Sequence, residues 1–496
     1  MNLKSKRAYP RKFYTFVKTH YFWISVILIL VFAAILRFYT FTSRFAFESD
    51  QARDVLVVQE IIETGHIPLT GPPSSIGPFS YGPWYYWILS LVSFLFPFSI
   101  LVPWALLTLV SVLFVFVLVL AGRAFIGNTA GIIAGLLAAV STAEIRVSAH
   151  LSNLSFVSIF AALAILSLIF FLKTKRSLFS FLVGLNVAFA INMHLSAIIF
   201  LPVILPITFN KSRLRNLLLG LFGFLIPFIP LLISDFRHHW VFAKNLLTFF
   251  LVGQEKIWVS IRWLTYLRDF WPEFWSNVIG GLRFISYFIF VMLAVFIIKD
   301  LYRRKLDKVL VALFFTFILQ VILLRYWRGE KQEVWLLFFN PLILLLTTWG
   351  IWKLFSLNKV FSIFVIIILM TGSLIADIPH LNYVNQFSKF KALKEELILE
   401  DPHSAFLLHN CRYSYARNAS LPLLLLLTKD GKIDLGGRPI GVYLSPSAEE
   451  IKTFQYDIKA RSDSYIVVEF KPGEIPEECT PITKSSLYNE TLLINL

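Results

Sequence analysis

Eleven blocks of mostly apolar residues set the rhythm of the chain, near 21–38, 99–121, 128–143, 153–172, 178–192, 194–210, 216–234, 276–298, 309–324, 335–352 and 360–376. A spanning helix needs roughly 17–25 such residues, and most of the blocks reach or approach that length. The connections between them alternate in character. One set is short and basic: Arg123, then Lys173/Lys175/Arg176, Lys211/Arg213/Arg215, Lys299/Arg303/Arg304/Lys305/Lys308 and Lys353/Lys359. The other set holds three long stretches, 39–98, 235–275 and 377–496. Basic connections stay on the cytoplasmic side of a membrane. The pattern therefore predicts an odd number of spans, an inward N-terminus, an outward C-terminus and three long segments outside. The basic residues 1–20 followed by the run Tyr21–Phe38 read as a retained first helix, because the run is long enough to span and lacks a small-residue cleavage site.

Period and punctuation give structure to the long segments. Asp50–Thr64 predicts a helix that stops at Gly65, with Pro68 beyond it. Thr70–Pro78 is a turn-rich crossover, and Pro83 opens a second helix that ends at Pro97. That second helix is aromatic and too short to span, so it is expected to lie along the membrane interface. In the tail, 385–400 reads as an amphipathic helix and 404–408 and 464–470 as short strands. Leu421–Leu427 reads as core, not a span. The fold class that follows is an all-α polytopic membrane protein of about eleven transmembrane helices (1–376) with a small α/β domain outside the membrane (377–496).

Composition agrees. The 496 residues are 57% hydrophobic and 15% charged, against about 25% charged in soluble domains. The net charge of +16 raises nucleic acid as a partner. That reading is rejected, because the charge is scattered between apolar blocks and not gathered in one basic domain. The two cysteines, Cys411 and Cys479, lie in the tail. A disulfide and two separate thiols are equally compatible with that placement. No Cys/His cluster has zinc spacing.

Candidate chemistry starts in Glu48-Ser49-Asp50-Gln51-Ala52-Arg53-Asp54. Residues four apart on a helix share a face, so Asp50 and Asp54 are candidates for a general base or a metal site, with Arg53 beside them. The competing reading makes Asp50 a helix cap and Asp54 a favourable charge at the helix start. Tyr81, Tyr85 and Tyr86, in Tyr81-Gly82-Pro83-Trp84-Tyr85-Tyr86-Trp87, either form an interfacial belt or hold a lipid chain or sugar ring. His150, Asn153 and His194 lie near span ends, where ionisable and polar groups are costly and mark functional sites. Glu144 and Arg146 flank the same span. Asp235, Arg237 and His238 open the second long segment. The adjacent His238 and His239 do not face one another on a helix, which argues against a metal pair. Arg262, Arg268, Arg328 and Lys331 can neutralise a phosphate or stand as solvated charges.

Residues 47–54, then Gly65-His66-Ile67-Pro68-Leu69-Thr70-Gly71-Pro72-Pro73-Ser74-Ser75, then Tyr81–Trp87 resemble the first loop of membrane glycosyltransferases with the GT-C fold. The nearest resemblance is to the RgtA/B/C/D-like bacterial group, related to protein O-mannosyltransferases and to the lipid A aminoarabinose transferase. It covers roughly residues 20–350. It implies a plasma-membrane (inner-membrane) enzyme that takes a sugar from a polyprenyl-phosphate donor and passes it, outside the cytoplasm, to a lipid, glycan or protein acceptor. It implies Asp50 as the base, and it gives His194 and Asp235-Phe236-Arg237-His238 weaker counterparts. The pattern departs from the family twice: Gln51 stands where many relatives have a second carboxylate, and Tyr81 where many have histidine. With Gln51, any role of a second carboxylate falls to Asp54 or is absent; with Tyr81, a histidine ligand or proton carrier is lost, so a divalent metal is a possible but not a required cofactor, and no other is implied. The rival function is a transporter or flippase for a lipid-linked sugar. That function calls for a midplane site between repeated halves, and no repeat is evident. A third possibility, a structural assembly protein worked by its outer domain, would lose its function on deletion of 377–496.

Overall fold

A computed structural model describes residues 8–482 apart from 75–76, 78, 97–98, 209–211, 253–261, 328–330, 383, 401, 412–419, 435, 445–455, 472, 474 and 477–478. All eleven apolar blocks are helical. Eight become helices long and apolar enough to cross a membrane: Thr19–Phe38, Val102–Phe125, Asn153–Thr174, Arg213–Arg237, Arg283–Tyr302, Lys308–Tyr326, Glu333–Leu357 and Lys359–Leu381. The other three, Asn128–Ala139, Ser177–Met193 and Leu195–Thr208, are shorter. Leu195–Thr208 is a 3₁₀ helix with Pro202 and Pro206 inside it. Each proline removes a backbone donor. The tighter coil rises about 2 Å per residue, so fourteen residues reach roughly 28 Å, close to a bilayer core.

One block begins later than its apolar pattern implies. The run from 276 is interrupted at Gly280 (φ 139°) and Gly281 (φ 43°), so Trp271–Ile279 is a separate helix and the span starts at Arg283. Leu369 backbone oxygen lies 2.5 Å from where a Cβ on Gly280 would sit, which makes the glycine a condition of the close crossing.

The basic connections converge at one end of the bundle. Arg123 stacks on Phe22 at 4.5 Å, Lys173 donates to the Phe125 carbonyl, Arg215 to Ser177 Oγ, and Lys353 pairs with Asp300 at 2.5 Å. These contacts join the ends of helices that run alternately up and down, as the loop charges predict.

At the opposite end the first long segment folds back on the bundle. Its helix is Ser49–Thr64, and Gly65 (φ 71°) terminates it. The aromatic helix is Trp84–Leu95. At its far end Leu91, Phe94 and Leu95 are exposed, whereas Tyr85 and Tyr86 are fully buried. Its start is pinned inward: the indole N–H of Trp84 donates to the Pro227 carbonyl and that of Trp87 to the Pro68 carbonyl.

The tail supplies the helices Phe387–Glu400 and Ser420–Lys429 and five strands, β1 (Phe406–Cys411), β2 (Arg438–Leu444), β3 (Tyr456–Arg461), β4 (Tyr465–Phe470) and β5 (Cys479–Pro481). The sheet order is β3-β4-β2-β1-β5, with only β1 and β2 parallel. Leu423–Leu427 are buried, as core and not as a span. Cys479 is in a disulfide, and the β1–β5 register sets it opposite Cys411, the only other cysteine. The tail does not stand apart. Phe387 packs edge-on against Phe47 at 5.0 Å, Asn385 Nδ2 donates to the Phe45 carbonyl, and the helix Ser420–Lys429 lies on Ser49–Thr64.

Candidate active site

The helix Ser49–Thr64 is started by Glu48 and not by Asp50. Glu48 and Gln51 form a reciprocal capping box, in which the Glu48 N–H donates to Gln51 Oε1 at 3.1 Å. Two of the helix's orphan donors are thereby satisfied locally. The cap reading of Asp50 is thus corrected, and Gln51 has a structural task of its own. Asp50 stands in the first turn with its side chain 73% exposed, whereas Asp54 is 2% exposed. The shared helix face does not make the two carboxylates equivalent, because the aromatic helix packs over one and leaves the other open.

Arg53 joins them. Its Nη1 donates to Asp50 Oδ1 at 2.9 Å, and its Nη2 and Nε donate to Asp54 Oδ1 at 2.8 and 3.1 Å. The Tyr86 hydroxyl donates to the same Asp54 oxygen at 3.0 Å. Burial pushes the Asp54 carboxyl up, and the Arg53 guanidinium pulls it back. Burial also works against the charge of Arg53, but Asp54, Tyr86 and Asp50 outweigh it and hold Arg53 above its ordinary range. Asp54 therefore anchors Arg53, whose Nη1 reaches the exposed carboxylate of Asp50.

A second group lies along the same segment. The Tyr85 ring is 5.5 Å from Tyr86 and 5.9 Å from Phe156. Asn153, buried at the foot of Asn153–Thr174, donates to the Met193 carbonyl. Gly82 N–H donates to the Asn192 carbonyl, and a Cβ on Gly82 would fall 1.9 Å from Asn192 Oδ1. Only glycine lets the Tyr81-Gly82-Pro83 turn seat against this helix end. Seated there, the Tyr81 ring meets His194 at 5.2 Å, and His194 meets Trp335 at 5.7 Å. Fully buried His194 shares a 2.7 Å hydrogen bond between Nδ1 and Ser196 Oγ. Burial pushes the Tyr81 hydroxyl up to about 12, so it stays protonated.

The structure thus makes two groups of these residues, Asp50, Arg53, Asp54, Tyr85 and Tyr86 in one and Tyr81, His194 and Asn153 in the other, joined along the chain from Tyr81 to Tyr86. The others divide. His150 is exposed, and its carbonyl accepts from Ser155 Oγ. Asp235 is buried and accepts from the N–H groups of Phe242 and Ala243, so it starts the helix Val241–Leu251. Phe242 packs in the cluster that holds Tyr81. His238 Nδ1 lies 2.7 Å from the Ser234 carbonyl, and Arg237 is exposed. Arg268 is paired with Asp269, and Arg328 lies outside the described residues. Among the described residues no three His, Cys, Asp or Glu side chains gather as a metal set.

Sequence reasoning missed a set of buried ionisable groups. Arg37, fully buried, donates to Ser111 Oγ at 2.7 Å and to the carbonyls of Ala139 and Ala138. Asp377 is fully buried beside Thr142, Arg37 and Arg44, and Glu144 accepts from Asn340 Nδ2 at 2.7 Å. Arg37 ties the first span to Ser111 and to the end of Asn128–Ala139, and the Thr40 hydroxyl donates to the Leu381 carbonyl of the last span. The signal of these groups was present in the sequence: Arg37 and Asp377 are ionisable residues at the ends of apolar runs.

Among solved structures, the chain is similar to ArnT from Cupriavidus metallidurans bound to undecaprenyl phosphate, with a TM-score of 0.62 at 11% identity over 90% of this chain and 99% of that one. The fold is GT-C. The apo form of the same ArnT gives a TM-score of 0.60 at 12% identity, with the same shares of both chains. A second GT-C match is the oligosaccharyltransferase AglB of Archaeoglobus fulgidus, in complex with an inhibitory peptide and a dolichol-phosphate. There the TM-score is 0.52 at 10% identity over 96% of this chain and 77% of that one. No protein-family model matches the sequence, and no curated protein matches it. The GT-C architecture, its many spans and its small terminal sheet are as the sequence led us to expect.

Proposed function

We propose that the chain is an integral membrane glycosyltransferase that moves a sugar from a polyprenyl-phosphate carrier to an acceptor hydroxyl, with inversion. The observation that carries this is the open Asp50 carboxylate, held by a buried Arg53–Asp54 pair on a GT-C fold. Asp50 takes the proton of the acceptor hydroxyl. The freed oxygen attacks the anomeric carbon from the face opposite the phosphate, and the polyprenyl phosphate leaves with the bonding pair. ArnT bound to undecaprenyl phosphate and AglB in complex with a dolichol-phosphate support this class of carrier. The basic end of the bundle faces the cytoplasm by the positive-inside rule, so Asp50 and the tail face outward.

The phosphate needs cations, and the outer segments provide a group of them. Burial lowers the pKa of Lys331, and the nearby charges of Arg325 and Arg262 lower it further. Arg325 Nε is buried with no hydrogen-bond partner. An anion between these three is stabilised as its charge develops in the transition state.

The test is transfer by purified protein from a panel of polyprenyl-phosphate sugars, with and without chelator. Asp50→Asn is expected to lower kcat by about 10²–10⁴-fold, the span typical of a general base. Full transfer by a folded Asp50→Asn protein would remove Asp50 from the role. A requirement for metal would show as loss of activity on chelation.

A further inference from the structure

The spans Arg283–Tyr302 and Lys308–Tyr326 follow one another in the chain, yet they make next to no contact with each other, and both pack instead on the helix Asn340–Leu357. At the end away from the basic connections a side chain fills the space between them: the Trp275 ring lies 4.9 Å from Phe290 of one span and 5.5 Å from Phe317 of the other. Towards the basic end each span shows a stripe of exposed apolar side chains, Val295, Ile298 and Tyr302 on the first and Val311, Phe315 and Ile318 on the second. Spacings of three and four residues put each stripe on a single helix face. The spans thus border an apolar cleft open to the bilayer core. Arg303, Arg304, Lys305 and Lys308 crown it. All four are exposed, and their side chains form no ion pair or hydrogen bond among the described residues. The nearby carboxylates are already engaged, Asp300 with Lys353 at 2.5 Å and Asp307 with the N–H groups of Val309 and Leu310 at 2.8 and 3.2 Å. Lys175 adds a further cation: burial, and then the charge of Lys308, lower its ammonium below the ordinary value. Arg304 and Lys175 both stand in left-handed helix stops (φ 52° and 58°), where glycine is favoured.

We propose that this cleft binds an anionic phospholipid of the leaflet at the basic end, with its phosphate among Arg303, Arg304, Lys305 and Lys308 and an acyl chain between the two spans. The positive-inside rule accounts for cations at this end of the bundle. It requires neither their crowding without counter-charges nor an open cleft beneath them. Other cations of the same end, Arg123, Lys173, Arg215 and Lys353, are taken up by protein partners. Like charges held together repel, and a negative headgroup relieves the repulsion. Lys308 also opens its helix, an end whose dipole favours an anion. The apolar walls select a lipid over free phosphate, and the charge selects an anionic lipid over a zwitterionic one. Each cation at the surface contributes about five-fold in affinity for an anionic lipid. So placed, the lipid does at the basic end what Trp275 does at the other, joining two consecutive spans that the protein leaves apart. The proposal concerns the face opposite Asp50 and does not rest on the glycosyltransferase reading.

The experiment uses full-length protein with Ile298→Cys, on the exposed stripe of the first span, carrying a bimane label; Cys479 is already in a disulfide. The protein is reconstituted in phosphatidylcholine vesicles with rising fractions of chain-brominated phosphatidylglycerol or chain-brominated phosphatidylcholine, and quenching of the label is read. Phosphatidylglycerol is expected to half-quench at a fraction at least ten-fold below that of phosphatidylcholine. A label at Leu218→Cys, exposed near the basic end of Arg213–Arg237, is expected to show little difference between the two lipids. Arg303→Gln with Arg304→Gln and Lys305→Gln is expected to abolish the preference at Ile298, while quenching by phosphatidylcholine stays as in the parent and shows the cleft intact. Lys308→Gln alone, the milder change, is expected to reduce the preference about five-fold. Equal quenching by the two lipids at Ile298, the same preference at Leu218, or a preference that survives these substitutions overturns the proposal. So does relief of quenching by inorganic phosphate, which would make the site one for a free anion. Relief by undecaprenyl phosphate at a lower fraction than by unbrominated phosphatidylglycerol overturns it as well, since the occupant would then be a polyprenyl carrier.

Discussion

Within the acidic cluster, neighbouring residues of one type have opposite duties. Asp54 is buried under Tyr86 and bound by Arg53, while Asp50 is open. Removing one member of a buried ion pair typically costs about 3–5 kcal/mol, because the other charge stays behind without compensation. Arg53→Met is therefore expected to lower the melting temperature of the detergent-solubilised protein sharply. Asp54→Asn in the same background recovers part of the loss, since the stranded charge is gone. The same assay separates Asp50 from this pair: Asp50→Asn leaves the melting temperature near that of the parent and reduces transfer only. A melting temperature unchanged by Arg53→Met would mean that the pair does not hold the helix start. Sequence alone had not divided these roles. The spacing of Asp50 and Asp54 placed both on one face, but which part of that face the aromatic helix covers depends on a packing partner some thirty residues away. For the same reason Gln51 looked like a lost carboxylate until its bond to the Glu48 N–H gave it a use.

Among the elements, the apolar blocks were legible because bilayer thickness imposes a length on each one. Their irregularities were not. The paired glycines that detach Trp271–Ile279 from the next span, and the 3₁₀ course of Leu195–Thr208, follow from contacts with neighbouring helices that no local pattern records. The tail sheet was legible only as scattered strands, because its order passes through β4-β2-β1 and not along the chain. One tie across that sheet has a measurable pH dependence. Arg438 donates to Glu469 Oε1 at 2.6 Å and also reaches Oε2, with Lys459 3.5 Å away. The Arg438 hydrogen bond holds the Glu469 carboxyl below its ordinary value. A carboxylate of depressed pKa contributes stability in full above its unfolded value of about 4.3, and that contribution is lost as pH falls through the folded value. Arg438→Met removes the tie between β2 and β4. The acid-induced opening of the tail, followed by pepsin cleavage between neutral and strongly acid pH, is expected to move to higher pH in this variant, with a loss of about 1 kcal/mol or less at neutral pH for so exposed a pair. An unmoved cleavage profile would assign the acid sensitivity to other carboxylates.

In the molecule as a whole, the tail is built into the first loop instead of hanging from the last span. That span continues to Leu381, so the division after 376 falls inside a helix. Beyond it, Asn385 N–H donates to the Ser43 carbonyl, Phe387 packs on Phe45 and Phe47, and Phe390 and Leu423–Leu427 share a single buried core with Val55, Leu56 and the spans. The candidate base is thus carried on a helix held from the membrane side by the bundle and from the other side by the tail. Each fully buried leucine of that contact contributes about 1.5–3 kcal/mol, so a chain ending at Leu381 loses far more than the marginal stability of one short helix. In such a truncated protein, hydrogen exchange is expected to show the amides of Ser49–Thr64 losing their protection while Asn153–Thr174 and Glu333–Leu357, most of whose surfaces are buried in the bundle, keep theirs. Transfer activity should fall with the loop helix. Retained protection of Ser49–Thr64 would mean that the bundle alone orders the site. The tail's packing on the loop would then have no part in catalysis.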